Sequence, residues 1–242
     1  MEPLAFDHLV LMVRDRLTDL APRFEQDGYT LTDLSIHNLG SINRLITLDS
    51  AYIELLGWPQ GKPPARKEIA DSPEGLDALV LRSNNAGQTF EYLKSQGFAV
   101  NPVQRLERAL VLNGATHTAR FDTVRFSVQP LAGLRVYFCQ HLTPELVWAE
   151  PFMQHDNGAK NLTDIVIAAR QPQSVAQTLA TLAMASIDKD DKDNYVITLP
   201  NLRLRVSYDA KVPEAKITEA SLVGNNGKEW AFNTRLTEHF PN

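Results

Sequence analysis

The chain reads as an α+β fold built from repeated βαβββ units, and three observations carry that reading. Phe6 to Val13 is a run of strand formers, followed by a helical apolar pattern and then by further strand-like segments. Leu76-Asp77-Ala78-Leu79-Val80-Leu81 repeats the opening pattern after roughly seventy residues. The helix behind it ends at Gln96-Gly97-Phe98, the counterpart of Asp27-Gly28-Tyr29. Leu162-Thr163-Asp164-Ile165-Val166-Ile167 opens a third copy.

The elements follow in order. Alternation over the first run sets Phe6, His8, Val10 and Met12 on one face and Asp7, Leu9, Leu11 and Val13 on the other. Both faces are largely apolar, so both are expected to be covered. Asp15 suits a helix cap, and Leu17, Leu20, Ala21 and Phe24 give the helix its apolar stripe. Gly28 closes it in a left-handed conformation. Strands are expected over residues 29–36, 41–48 and 51–56, with a turn at His37-Asn38-Leu39-Gly40. The last strand sets Tyr52, Glu54 and Leu56 on one face. Residues 58–72 contain three prolines and read as a connector.

In the second unit Asn85 caps a helix carrying Ala86, Phe90 and Leu93. Strands over 99–105, 119–128 and 134–140 follow, with a hairpin arm over 109–117 around Asn113-Gly114. Residues 142–160 form an ordered but irregular linker. In the third unit Pro172 suits a first helical position, ahead of Val175, Leu179 and Leu182. Strands over 195–199, 202–208 and 217–223 complete that unit, and the tail from Asn225 packs loosely. The expected organisation is therefore a region over 1–160, with modules at about 4–58 and 75–141, and a degenerate third module with its tail over 161–242.

Composition narrows the function classes. A chain of 242 residues, 43% hydrophobic and 22% charged, can bury a core without disulfides or structural metals. A net charge of −5 and the lack of a basic run argue against a nucleic-acid surface. Cys139 is the one cysteine, so internal disulfides and zinc-finger modules are excluded, and its neighbours Tyr137 and Phe138 suggest a buried, inert thiol. No signal-like N-terminal run or membrane-length apolar stretch occurs, which gives the expectation of a cytoplasmic protein with no membrane partner. Neither a glycine-rich phosphate loop nor a nucleophile elbow is present.

Two runs carry a family resemblance. Phe6-Asp7-His8-Leu9-Val10, Leu39-Gly40-Ser41-Ile42-Asn43 and Tyr52-Ile53-Glu54-Leu55 resemble the glyoxalase-like domains of the vicinal oxygen chelate superfamily, which also holds bleomycin-resistance proteins and extradiol dioxygenases. Tyr137 to Trp148 resembles the second half of the same group. The resemblance implies paired βαβββ modules whose mixed sheets curl into half-barrels over a cleft. It also implies a divalent metal held by a histidine on the first strand and a carboxylate on the last strand of each module. Position by position, His8 and Glu54 match in the first module. The second module departs from the pattern, with Ala78 at the histidine position and Cys139 or Gln140 near the carboxylate. The third has Asp164 at its histidine position.

The candidate site follows from both lines of argument. Glu54 lies among Ile53, Leu55 and Leu56, where an unpaired carboxylate is costly, so it is expected to be a ligand or a general base. His8 and His141 would complete a two-histidine, one-carboxylate set for iron, manganese, zinc, nickel or magnesium. The plainer roles are a satisfied core histidine at 8 and a linker-fastening hydrogen bond at 141. His37 is a candidate for proton transfer, and Asn43, Arg44, Tyr52 and Tyr137 for substrate binding. Arg105, Arg108 and Arg120 could wall an anionic substrate or simply form a solvated face. The expected function is a lyase, isomerase or dioxygenase acting on a small molecule with adjacent oxygens. Its rival is a non-catalytic protein that sequesters a small molecule in the same cleft. Since the superfamily often dimerises, a homodimer is one assembly open to this chain, and a structural or assembly role is a third reading.

Overall fold

Strand β1 (Phe6–Arg14) is buried on both faces, as its apolar run requires, and the N-terminal sheet is built outward from it. The computed structural model describes residues 2–37, 40–64 and 66–236. β1 is followed by α1 (Leu17–Gln26), β2 (Ser35–Ile36), β3 (Ile42–Thr47) and β4 (Tyr52–Gly57), then by the short α2 (Lys67–Ala70). A second unit comprises β5 (Gly75–Arg82), α3 (Ala86–Ser95), β6 (Gln104–Leu112), β7 (Ala115–Arg125) and β8 (Arg135–His141). β1 pairs in parallel with β4 and antiparallel with β5, and β5 pairs in parallel with β8. The two units thus form one eight-stranded sheet in the order β2-β3-β4-β1-β5-β8-β7-β6. Its outermost strands curl towards each other: Arg108 of β6 donates from Nη1 to Ser35 Oγ of β2 at 3.0 Å. The result is a nearly closed half-barrel.

The third unit runs through β9 (Ala159–Ala169), α4 (Pro172–Ala183), β10 (Asp188–Lys189), β11 (Tyr195–Thr198) and β12 (Arg203–Tyr208). With β13 (Lys216–Gly224) and β14 (Glu229–Ala231) it makes a six-stranded sheet, β10-β11-β12-β9-β13-β14. Leu9, Leu11 and Leu79 on the outer face of the half-barrel share one apolar core with Phe24, Leu93, Leu179, Ile165 and Ile167. The concave face carries a separate cluster that includes Val10, Met12, Tyr52, Val80, Tyr137 and Cys139. Among the described residues no helix is long and apolar enough to cross a membrane.

Several expectations change on contact with the structure. Phe6 packs with Leu9 and Leu11 rather than with Val10, because the β1–β5 register slips between Phe6 and His8. Such a bulge opposes two residues to one. Arg16, not Asp15, sits at the N-cap of α1, with no side-chain cap bond. The strand expected over 29–36 shrinks to Ser35–Ile36. The hairpin around Asn113-Gly114 is longer than expected and spans all of β6 and β7. Its two turn residues both have positive φ, 52° and 77°, as a tight two-residue hairpin needs. The tail is not loose at Phe232, which is buried in the core. Asn38 and Leu39 of the expected turn, and the last residues of the tail from Thr237, lie outside the described residues.

Candidate functional site

The concave face holds a cavity of about 80 Å³. Parallel pairing of β1 with β4 sets His8 opposite Tyr52 and Val10 opposite Glu54. His8 and Glu54 therefore point to the same side of the sheet, with His8 Nε2 3.6 Å from Glu54 Oε2. Both are buried. Each is fixed from outside. His8 donates from Nδ1 to Asp7 Oδ2 at 2.7 Å, and its ring stacks on Tyr52 with centroids 4.3 Å apart. Asn43 donates from Nδ2 to Glu54 Oε1 at 2.7 Å.

Hydrogen bonding extends in both directions from this pair. Asp7, turned inward at the bulge, also accepts from Arg82 Nε at 2.9 Å and from His141 Nε2 at 2.9 Å. On the other side His37 Nε2 lies 3.3 Å from Asn43 Nδ2, while His37 Nδ1 meets Ser41 Oγ at 2.8 Å. Tyr137 brings its hydroxyl to 3.0 Å from His8 Nε2.

The charges follow from these contacts. Burial alone would raise the Glu54 carboxyl, but the hydrogen bond and charge of His8 and the amide of Asn43 hold it at about 2. Burial works against a charged His8, yet Asp7 and Glu54 together raise it above its ordinary value. Asp7 is driven well below the usual carboxylate range by His141 and His8 despite complete burial. His37 is pushed down by burial. Burial, reinforced by the Glu54 charge, pushes the Tyr137 phenol up, and burial pushes the Cys139 thiol up. The centre is thus a histidine whose charged form is favoured by two ionised carboxylates, flanked by a neutral phenol and by a second histidine whose charged form burial disfavours.

Of the residues expected at the site, His8, His37, Asn43, Tyr52, Glu54 and Tyr137 line the one cavity. His141 does not join His8 and Glu54. Its Nε2 is taken up by Asp7, and its ring packs against Trp148 and Phe121. Arg44 faces away from the cavity, towards Glu25 at 2.7 Å and the Thr32 carbonyl. The second module departs further than expected. Ala78 pairs with Arg135 as His8 pairs with Tyr52, so the position equivalent to Glu54 is Tyr137 rather than Cys139 or Gln140.

Sequence reasoning missed Asp7, Arg66, Arg125 and Arg135. Asp7 could have been found by the argument applied to Glu54, a carboxylate in an apolar strand. Arg125 shares the inward parity of Ala119, Phe121 and Thr123 along β7.

A metal has two groups of donors to consider. Asp7, Cys139 and His141 offer ligand atoms all within 4.8 Å of one another, a group that could hold an ion. Asp7 there already serves two histidines and an arginine, and the Cys139 thiol is held protonated by burial. His8 and Glu54 fit better. Their ligand atoms face one another in the cavity, and each has the outer hydrogen bond that orients a metal-binding side chain.

A profile for the glyoxalase-like domain matches residues 6–183. No curated protein matches the chain. Among solved structures, a hypothetical protein from Staphylococcus aureus is 15% identical, with a TM-score of 0.70 over 95% of this chain and 99% of that one. A xylose isomerase-like TIM barrel/4-hydroxyphenylpyruvate dioxygenase fusion protein is 11% identical, with a TM-score of 0.55 over 92% of this chain and 37% of the other. A mutant 4-hydroxymandelate synthase from Streptomyces coelicolor is 12% identical, with a TM-score of 0.51 over 88% of this chain and 65% of the other. At these identities the likeness is one of fold.

Proposed function

This chain belongs to the glyoxalase-like domain family, and from that premise we propose a small-molecule enzyme of the vicinal oxygen chelate type, centred on His8 and Glu54. The observation that carries the proposal is their convergence at 3.6 Å in a cavity, each partner locked by a separate hydrogen bond. His8 Nε2 and Glu54 Oε2 would hold a divalent metal, which when bound supplies Lewis acidity towards adjacent substrate oxygens. Asp7 keeps the His8 proton on Nδ1 and turns Nε2 to the cavity. Without a metal, Glu54, ionised at neutral pH, would instead act as the base that takes a proton from a substrate carbon or hydroxyl. Tyr137 offers its hydroxyl to a developing oxyanion, and its raised pKa keeps that proton in place. Lyase, isomerase and dioxygenase chemistry all draw on this arrangement.

A sequestering protein is the second reading, favoured by one observation. Ala78 and Tyr137 replace the second module's two ligands, and the Tyr137 hydroxyl already bonds His8 Nε2. Metal analysis of protein purified without chelator, together with His8→Ala and Glu54→Ala, separates the two. Close to one divalent ion per chain, lost in both variants, supports the enzyme. Metal-free protein under every loading condition overturns that reading and leaves the binder.

A further inference from the structure

We propose that the cavity selects a small hydroxycarboxylic acid, with Arg108 and Arg125 gripping the carboxylate and Asn43 Oδ1 accepting from the hydroxyl. This deepens the proposed function and rests on its cavity being the substrate site. Four arginines line that cavity: Arg66, Arg108, Arg125 and Arg135. Two of them are neutralised by the protein, Arg66 by Glu68 and Arg135 by Asp77. Glu107, also in the lining, turns to Arg120 at 3.4 Å. Among the described residues neither Arg108 nor Arg125 has a carboxylate within ion-pair distance.

Arg108 is only 5% exposed, and among the described residues its one side-chain hydrogen bond goes to Ser35 Oγ. A guanidinium has five N–H donors, and burying its charge without an anion is costly. Arg125 contacts the face of Tyr137, with its guanidinium carbon 5.4 Å from the ring centroid, and makes no side-chain hydrogen bond among the described residues. Two cations in the lining of one cavity, each with no ion-pair partner among the described residues, call for an anion in it.

The form of the anion follows from the donors. A planar fork matches a carboxylate through two parallel bonds. No lysine lies among the lining residues, and no glycine-rich loop supplies the converging backbone N–H groups that phosphates favour. The hydroxyl follows from Asn43. Its Nδ2 is given to Glu54, while its Oδ1 is buried with no partner among the described residues. Such an acceptor is costly unless a ligand donates to it. A cavity of about 80 Å³ limits the enclosed part of the ligand to a few heavy atoms.

Calorimetric titration of the protein with lactate, mandelate, their methyl esters and inorganic phosphate tests the proposal. The expected result is binding of at least one acid at least about tenfold tighter than its ester and than phosphate. Arg125→Gln, which breaks no internal hydrogen bond, should weaken the acid about tenfold and leave the ester unchanged. Arg108→Lys, which keeps the charge but removes the fork, should weaken the acid as well. Esters binding as well as acids, phosphate binding more tightly than either acid, no binding by either acid, or both arginine variants behaving as wild type would each overturn it. Metal content is read separately on the same samples. Failure of the His8–Glu54 reading would therefore show there without altering the acid-to-ester ratio.

Discussion

The same two register positions carry opposite chemistry in two units of this molecule. In the half-barrel, His8 on β1 and Glu54 on β4 face a cavity, with 3.6 Å between the interacting atoms. In the six-stranded sheet, Arg203 pairs with Asp164 as Tyr52 pairs with His8, so Asp164 and Arg205 occupy the equivalent positions. There the two close into a salt bridge at 2.9 Å, and Arg203 adds a second bond to the same carboxylate at 2.7 Å. A parallel strand pair thus brings two polar side chains together in either unit, and the surroundings decide what they do. The Asp164 cluster reaches solvent through Arg203, whose side chain is half exposed. The His8–Glu54 pair is enclosed, and it is held by Asp7 on one side and by Asn43 on the other.

The contrast can be tested by breaking each pair. His8→Ala would leave Asp7 and Glu54 as buried carboxylates that have lost a shared partner. Removing one member of a buried ion pair typically costs about 3–5 kcal/mol, and urea unfolding should show a loss of that size. Asp164→Asn should cost about 1 kcal/mol, since the partners are solvent-screened. It should leave ligand binding in the cavity unchanged. Equal losses at the two sites would remove the distinction drawn between them.

Acid titration sharpens the same contrast. The Glu54 carboxyl sits at about 2, below its usual 4.5. A depressed carboxylate stabilises the fold above its unfolded value, and that contribution fades as pH falls from about 4.5 towards 2. The loss is on the order of 3 kcal/mol. Because His8 is shifted upward, its own contribution is complete below 6.5 and disappears as pH rises through its folded value. Glu54→Gln should therefore flatten the acid limb of the stability curve, measured by unfolding between pH 2 and 6. A smaller effect is expected from Tyr137→Phe, about 1 kcal/mol for one hydrogen bond to His8 Nε2. Arg44→Ala should cost about as much, about 1 kcal/mol, because it removes bonds to Glu25 and to the Thr32 carbonyl, with ligand binding in the cavity intact.

The repeated architecture was legible because the apolar runs at Phe6, Leu76 and Leu162 share a period and a following helix. His8 and Glu54 were legible because strand alternation and the cost of an apolar-strand carboxylate both pointed to them. Asp7 escaped because strict alternation placed it on the opposite face, and a bulge one residue long reversed that. His141 was misplaced for a related reason. Strand alternation shows which side of a sheet a ring faces but not which acid captures it, and Asp7 captured it. Tyr137 at the second module's carboxylate position emerged only from the β5–β8 register, since the run Tyr137-Phe138-Cys139-Gln140 allows several alignments. Of the arginines considered as a wall, only Arg108 reaches the cavity, while Arg105 and Arg120 pair with Asp122 and Glu107. Alternation could not separate them, because the curl of the sheet decides which arginine is enclosed.

The central claim is that His8 and Glu54 act as one electrostatic unit inside the cavity. A nitrogen-15 NMR titration of the His8 imidazole in metal-free protein, wild type against Glu54→Gln, tests it most directly. The account predicts an imidazole still protonated above pH 6.5 in the wild type, with its midpoint moved down in the variant. An imidazole that titrates at or below 6.5 and does not respond to the Glu54 substitution would contradict it.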